Sequence, residues 1–302
     1  DGNAGTRAFI SSPETAVAFA LGGRLTFNPL TDTLEGADGQ PVKLDPPAPA
    51  ADIPADGFIG RGHGYAAPPE SVAGSAVTID PASKRIEALD AFGPRTVDQF
   101  QGMALLLKAR GQCTTDHISP AGPWLRFRGH LTNISENMYT GANNVFSEAP
   151  GTGFNRINGE TGQALPEIAR AYKAAGIEWI AIGDENYGEG SSREHAAMSP
   201  RHLGGGVVIT RSFARIAESN LKKQGLLALT FAKPGDYELF QKDDLIDFTD
   251  LAELAPGRAL AVTLRHADGS EDTVSLEHTL NNEQIEWFWA GSALNVIRAV
   301  GG

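Results

Sequence analysis

The sequence predicts an α/β protein with a parallel or mixed sheet and flanking helices, and three observations carry that prediction. IEWIAIG, GGGVVIT and LLALTFA are apolar runs of strand length. PEIARAYKAAG and SFARIAESNLKKQG, which precede or join them, read as helices, and a β-α-β-α-β order implies parallel or mixed pairing with right-handed crossovers. RALAVTLRHADGSEDTVSLEHTL is different: two alternating runs flank Ala267-Asp268-Gly269-Ser270, a hairpin signal that adds antiparallel neighbours.

From the N-terminus, Ser12 is placed to cap a short apolar helix, Pro13 suits its first position, and Gly22 with Gly23 stops it. RLTF after that stop reads as a strand. Between roughly 45 and 75 the composition shifts to DPPAPAADIPADGFIGRGHGYAAPPESVAG, too rich in proline and glycine for helix or central strand, and an ordered or semi-stiff linker is expected. Its His63 is read as a solvated side chain. VDQFQGMALLLKARG fits helix or strand and stops at Gly111. The next helix starts at Pro166 and ends at Gly176; a later one runs from a Ser212 cap to a Gly225 stop. NEQIEWFWAGSALNVIRAV closes the chain as one amphipathic helix, with Trp287, Phe288 and Trp289 as core or interface aromatics.

At 302 residues, 41% hydrophobic and 21% charged, the chain has the composition of a globular protein that buries a sizeable core. A net charge of -12 repels phosphate backbones and anionic lipid, which argues against nucleic acid as a partner. No apolar run approaches the roughly 20 residues of a membrane span. A single cysteine, Cys113, rules out an internal disulfide and fits a reducing compartment. Because the chain opens at Asp1 without a methionine, it reads as a piece of something longer.

The first chemical motif is GDENYGEGSSREHAA, residues 183–197. Ser191 and Glu194 have capping-box spacing, which accounts for those two residues alone. Gly183, Gly188, Gly190, Ser192 and Arg193 need another reason. A loop leaving a strand end, glycines that admit a ligand close to the backbone, and a helix start with free amides together describe an anion site. Arg193 adds a planar fork that matches a carboxylate or phosphate bidentately. No lysine follows the glycines as a phosphate loop demands, and GEGSS is not a G-x-S-x-G elbow, so a carboxylate is favoured. A helix terminus contributes roughly 0.3 to 1 kcal/mol, up to about 2, which moves an ionisation by little more than one unit. That falls far short of ionising a serine, so the local reading places anion binding ahead of base catalysis.

The second motif is CTTDHISPAGPWLRFRGH, residues 113–130. Thr115, Asp116, His117 and Ser119 crowd a turn before Pro120, and Arg126, Arg128 and His130 follow on a short irregular segment. Side chains bonding their own backbone in an Asx-type turn would explain the cluster without function. Cys113 alone cannot hold zinc or an iron–sulfur cluster, and His195 and His202 are seven apart, with Pro200 expected to end their helix first. Metal binding by this chain is disfavoured.

In these residues the sequence resembles the aconitases, most closely the mitochondrial-type hydratases. The resemblance rests on KARGQCTTDHISPAGPWLRFRGHLTNIS, IGDENYGEGSSREHAAMSPRHLGG, TRSFARIAESNLKKQGLLALTF and TLNNEQIEWFWAGSALN, and it extends over essentially the whole chain. Gly206 and Ala228 depart from it, standing where arginine and proline are usual. It implies a hydro-lyase interconverting citrate and isocitrate through cis-aconitate on a [4Fe-4S] cluster whose open iron binds the substrate hydroxyl. By motif position, Ser191 would be the base, with Asp116 and Arg193 beside it in the catalytic set. Arg128, Ser192, Arg193, Ser119 and Thr115 would bind substrate, and Asp116 would orient an arginine or a proton path.

The resemblance also implies that the cluster cysteines and the acidic and histidine residues of the site lie upstream, outside this chain. Residues 1–48 would then be the tail of the cluster-bearing part, 49–80 a linker, and 81–302 the layered swivel domain. The partners would be a tricarboxylate and the upstream domains, in bacterial cytoplasm or the mitochondrial matrix. The isolated chain is expected to bind no cluster and to turn over nothing. Homoaconitase, methylcitrate dehydratase, the isopropylmalate isomerase small subunit and an RNA-binding relative are the alternatives.

Overall fold

A computed structural model describes residues 9–49, 51–53, 55, 57, 66–67 and 77–300. The chain divides into two compact units between Val77 and Thr78. Most of the proline- and glycine-rich stretch, His63 included, lies outside the described residues.

In the first unit helix α1 (Pro13–Gly22) forms as its caps dictate: the Ser12 hydroxyl accepts the Thr15 amide, and Gly23 closes the helix in left-handed backbone. RLTF is not a strand. It turns instead, because Phe27 folds back against Gly22 while Arg24 lies over its ring. Strands β1 (Leu34–Glu35) and β2 (Pro41–Val42) follow as a two-residue antiparallel pair.

The second unit runs from β3 (Met103–Lys108) through the short helices α2 (Thr115–Ile118) and α3 (Leu131–Ile134) to a side hairpin, β4 (Thr152–Asn155) and β5 (Glu160–Ala164). Next come α4 (Leu165–Ala174), β6 (Trp179–Ile182), α5 (His195–His202), β7 (Gly205–Thr210), α6 (Arg215–Lys223) and β8 (Leu227–Phe231). Strands β9 (Leu245–Phe248), β10 (Leu260–Arg265) and β11 (Glu271–Glu277) precede α7 (Asn282–Ala290) and α8 (Ala293–Val300). Strands β3, β6, β7 and β8 pair in parallel, and β9, β10 and β11 join them through antiparallel pairs. The mixed sheet with flanking helices is therefore present. It also closes on itself, in the order β10-β11-β8-β7-β6-β3-β9.

Side-chain alternation sorts the strands into two cores. Ile180, Ile182, Val207, Ile209, Leu227 and Leu229 pack within one cluster, with Phe248, Val262 and Leu276 from the antiparallel strands. Trp179, Ala181, Val208 and Ala228 point to the other, where Leu165, Ile168 and Tyr172 of α4 and Leu221 of α6 cover them. Strands buried on both faces read as continuous apolar runs, whereas β10 and β11 alternate because one face meets solvent.

One open local expectation resolves and three need correction. VDQFQGMALLLKARG divides into a 3-10 turn at Val97–Phe100 and strand β3. Helix α6 starts after Ala214, because the Ser212 hydroxyl accepts the Asn186 amide and donates to Glu185 instead of capping. The C-terminal segment is two helices, since left-handed backbone at Gly291 ends α7. Pro200 does not end α5, which continues to His202; the burial of Ala196, Ala197, Ser199 and Pro200 outweighs one missing helical hydrogen bond.

Candidate active site

The loop carrying the serines leaves β6 at its carboxyl end and is held by main-chain bonds to two neighbours. The Gly188 amide donates to the Cys113 carbonyl at 2.8 Å, the Thr115 amide to that of Glu189 at 2.8 Å, and the Tyr187 amide to that of Ser212 at 2.9 Å. Tyr187 anchors the centre of the loop: its ring is buried, lies edge-on to Phe213, and its hydroxyl is 2.7 Å from that of Tyr139. Gly188 and Gly190 both adopt positive φ, and a Cβ at Gly190 would sit 2.7 Å from the Thr115 hydroxyl. The protein's own packing already requires those glycines.

Ser191 does not cap a helix. Helix α5 starts at His195, with Glu194 at its N-cap position and no side-chain cap bond, so the Ser191–Glu194 capping box is absent. The ties to Cys113 and Thr115 draw the loop aside first. Ser191 and Ser192 are left exposed.

Residues 113–130 approach the loop from β3. Thr114, rather than an Asx turn, organises them: its hydroxyl accepts the His117 amide and starts α2. Asp116 is thereby freed for Arg193, whose Nη1 donates to Asp116 Oδ1 at 2.6 Å and to the Ser119 carbonyl at 2.9 Å. The hydrogen bond from Arg193 holds the Asp116 carboxyl below the ordinary aspartate range. Ser119 is buried, and Asn137 fixes the following turn by donating to the Pro120 carbonyl at 2.8 Å.

Ser119, Arg128, Ser191, Ser192, Arg193, Glu194 and His195 line one cleft of about 410 Å³, with two guanidinium groups against one carboxylate. Among the described residues the Arg128 guanidinium meets no hydrogen-bond partner, while its carbonyl accepts His195 Nε2–H at 3.0 Å. Asp116 stands behind Arg193. Thr115 is 4% exposed and lines a smaller cavity beneath Ser191 and Arg193.

His195 and the Tyr139–Tyr187 pair escaped sequence reasoning, because their partners lie 67 and 48 residues away. Burial pushes the Cys113 thiol up to about 12. No group of three His, Cys, Asp or Glu side chains able to hold a metal occurs among the described residues. A larger groove of about 750 Å³ in the first unit is lined by acidic Glu14 and Asp45 and by no basic side chain, so it does not suit an anion.

A closed mixed sheet with helices on its outer face, and a cleft at the carboxyl ends of β3 and β6 lined by hydroxyls, two guanidinium groups and one carboxylate, define an α/β domain with a polar cleft at its strand ends. Residues 103–234 match the aconitase C-terminal domain. Over 298 residues the chain is 50% identical to the mitochondrial aconitate hydratase of Gracilaria gracilis, covering 99% of this chain and 38% of that one. With the mitochondrial enzyme of Saccharomyces cerevisiae it shares 49% over 299 residues, again 99% and 38% of the two chains. Residues 103–234 are thus an aconitase C-terminal domain, within a chain that aconitate hydratases match over nearly its whole length. It spans under two fifths of the length of those curated relatives. A solved 3-isopropylmalate dehydratase from Methanocaldococcus jannaschii aligns with 67% of this chain and 99% of its own at 19% identity and a TM-score of 0.42.

Proposed function

We propose that this chain supplies part of the active site of an aconitate hydratase, a hydro-lyase interconverting citrate and isocitrate through cis-aconitate. The observation that carries the reading is the single cleft shared by Ser191, Arg193 and Arg128. Relatives named aconitate hydratase, about half identical over nearly the whole chain, support it. Residues 1–48 belong in this reading to the cluster-bearing part, 49–80 to a linker and 81–302 to the swivel domain. The partners are a tricarboxylate and the rest of the same enzyme, in the mitochondrial matrix of a eukaryote or the cytoplasm of a bacterium.

Arg128 and Arg193 bind substrate carboxylates, the latter with whatever part of its fork Asp116 and Ser119 leave free. The Ser192 hydroxyl adds a hydrogen bond. With Ser191 ionised, its Oγ takes the proton from carbon and returns to a hydroxyl, the electron pair left behind forms the double bond, and the hydroxyl on the neighbouring carbon leaves as hydroxide, which becomes water on protonation. The Ser191 loop precedes α5, so the helix terminus lowers the serine's basicity barrier by less than the roughly 0.3 to 1 kcal/mol of a capping site. The two guanidinium charges and exclusion of water carry most of that burden.

Departure of the hydroxyl calls for a Lewis acid, the chemistry that a [4Fe-4S] cluster supplies in the resembled family. This chain's described residues do not fit as cluster ligands: Cys113 is the one cysteine, buried, with a raised thiol pKa. The test is Ser191→Ala in the full-length enzyme. Turnover should fall about 10²- to 10⁴-fold, the general-base contribution; near-normal turnover would remove Ser191 from the chemistry.

A further inference from the structure

We infer that Thr115 is a positioning residue for Ser191, acting through one bound water in a cavity beneath the loop, and not a group that touches the acid. The inference rests on Ser191 being the base. Thr115 is 4% exposed, yet its Oγ1 meets no hydrogen-bond partner among the described residues. A buried hydroxyl in that condition is costly, so native proteins give it a partner.

The direction it faces identifies that partner. Oγ1 abuts Gly190, the residue before Ser191. Thr115, Ser191 and Arg193 share a cavity of about 10 Å³, separate from the 410 Å³ cleft where an acid has room. Thr115 lines the small cavity and not the large one, whereas Ser191 and Arg193 line both. A water needs on the order of 10–15 Å³ and two to four polar partners. This cavity offers that space, and the polar side chains of Thr115, Ser191, Arg193 and Asn220 are among those that line it. Tyr187, which also lines it, has its hydroxyl on Tyr139.

The geometry supplies a function for this arrangement. Ser191 is exposed and Gly190 stands at φ 120°, so the loop itself does little to fix the serine's rotamer. A water donating to Ser191 Oγ, and held in turn by Thr115 and Arg193, keeps one lone pair of the serine occupied on the protein side. The other lone pair is left aimed at the cleft. A hydrogen bond to an ionised oxygen is stronger than one to a neutral hydroxyl, so the water favours the form of Ser191 that can take the proton, and its effect belongs in kcat and not in KM.

The experiment compares Thr115→Val, Thr115→Ser and Ser191→Ala in the full-length, cluster-loaded enzyme, with kcat and KM for citrate and isocitrate. A crystal structure of the unsubstituted protein accompanies the kinetics. In Thr115→Val, kcat should fall about ten- to a hundredfold, the loss of one hydrogen bond to a charged atom, with KM changed less than about threefold. Thr115→Ser restores it, and the crystal shows a water within hydrogen-bond distance of both Thr115 Oγ1 and Ser191 Oγ. A rise in KM at unchanged kcat in Thr115→Val means contact with the acid and overturns the inference. So does a normal kcat, a Thr115→Ser that fails to recover, or the absence of that water. If Thr115→Val does not fold, the water and the Thr115→Ser kinetics decide. Full turnover in Ser191→Ala overturns the reading of the base itself, a result distinct from a silent Thr115→Val.

Discussion

Arg193→Lys keeps the charge and removes the fork, which makes it the sharpest probe of the cleft. In the structure Nη1 is engaged twice, with Asp116 Oδ1 at 2.6 Å and the Ser119 carbonyl at 2.9 Å, while the side chain remains 16% exposed at the cleft wall. A guanidinium holds those two acceptors with one nitrogen and still presents others to a bound carboxylate. A single ammonium cannot span both directions. Lysine therefore keeps either the Asp116–Ser119 anchor or the acid. Losing one charge-assisted hydrogen bond costs about 1.5 to 3 kcal/mol, and at about 1.36 kcal/mol per decade that is a roughly 10- to 150-fold fall in kcat/KM. The stability effect should be small. Asp116 is two-thirds exposed, and a pair of that kind contributes about 0 to 1 kcal/mol, which displaces the melting temperature of a domain this size by at most about 4 °C. Steady-state kinetics on the full-length enzyme and thermal melts of this chain supply the two numbers. A kcat/KM within threefold of the original, or a melt lowered by far more than 4 °C, would refute the argument that Arg193 works as a shared fork.

Other outcomes follow from the same geometry. Ser191→Ala should leave the melt of this chain nearly unchanged, because the serine caps no helix; a loss of about 0.5 to 2 kcal/mol would mean that it does. His195→Ala frees the Arg128 carbonyl from its 3.0 Å bond, and KM should rise severalfold while kcat holds, the loss of about one neutral hydrogen bond; a collapse of kcat alone would place His195 in the chemistry. Buried His266 donates to Asp244 at 2.8 Å and Asp272 at 3.1 Å, and the bond to Asp244 above all raises its pKa. Its contribution to stability is then full below the unfolded value of about 6.5 and is lost as pH rises through the higher folded value. Melts between pH 6 and 9 should fall across that window in the parent and flatten in His266→Gln. The isolated chain should show neither cluster absorbance after reconstitution nor hydratase activity.

What could be read from the sequence divides by range. Strands β6, β7 and β8 announce themselves as apolar runs because both faces are covered, and the Ala267–Ser270 hairpin shows in six residue pairs between β10 and β11. Closure of the sheet leaves no such mark. It depends on β9 meeting β3, where Met103 pairs with Ile246 and Ala104 with Leu245, and neither segment's pattern names its partner. Ser12 and Ser191 show why a local motif alone does not decide the matter. Both have the residue types of a cap, and only Ser12 acts as one, its hydroxyl accepting the Thr15 amide.

Around Ser191 there is competition from two segments. Cys113, Thr115 and Ser212 each bond the loop's backbone from distant positions, and those bonds fix where the chain can first turn helical. The same ties that spoil the cap set the serine beside Arg193 and over the cavity that Thr115 lines. A serine that satisfied the first turn of α5 would have its oxygen committed to a backbone amide and be a poor proton acceptor. Under the proposed function, its release from that duty leaves its oxygen available as the base, and that release comes from main-chain bonds whose donors and acceptors carry no side-chain signature. Resemblance could therefore point to Ser191, while the physical reason it is free lies in contacts between segments that follow different strands.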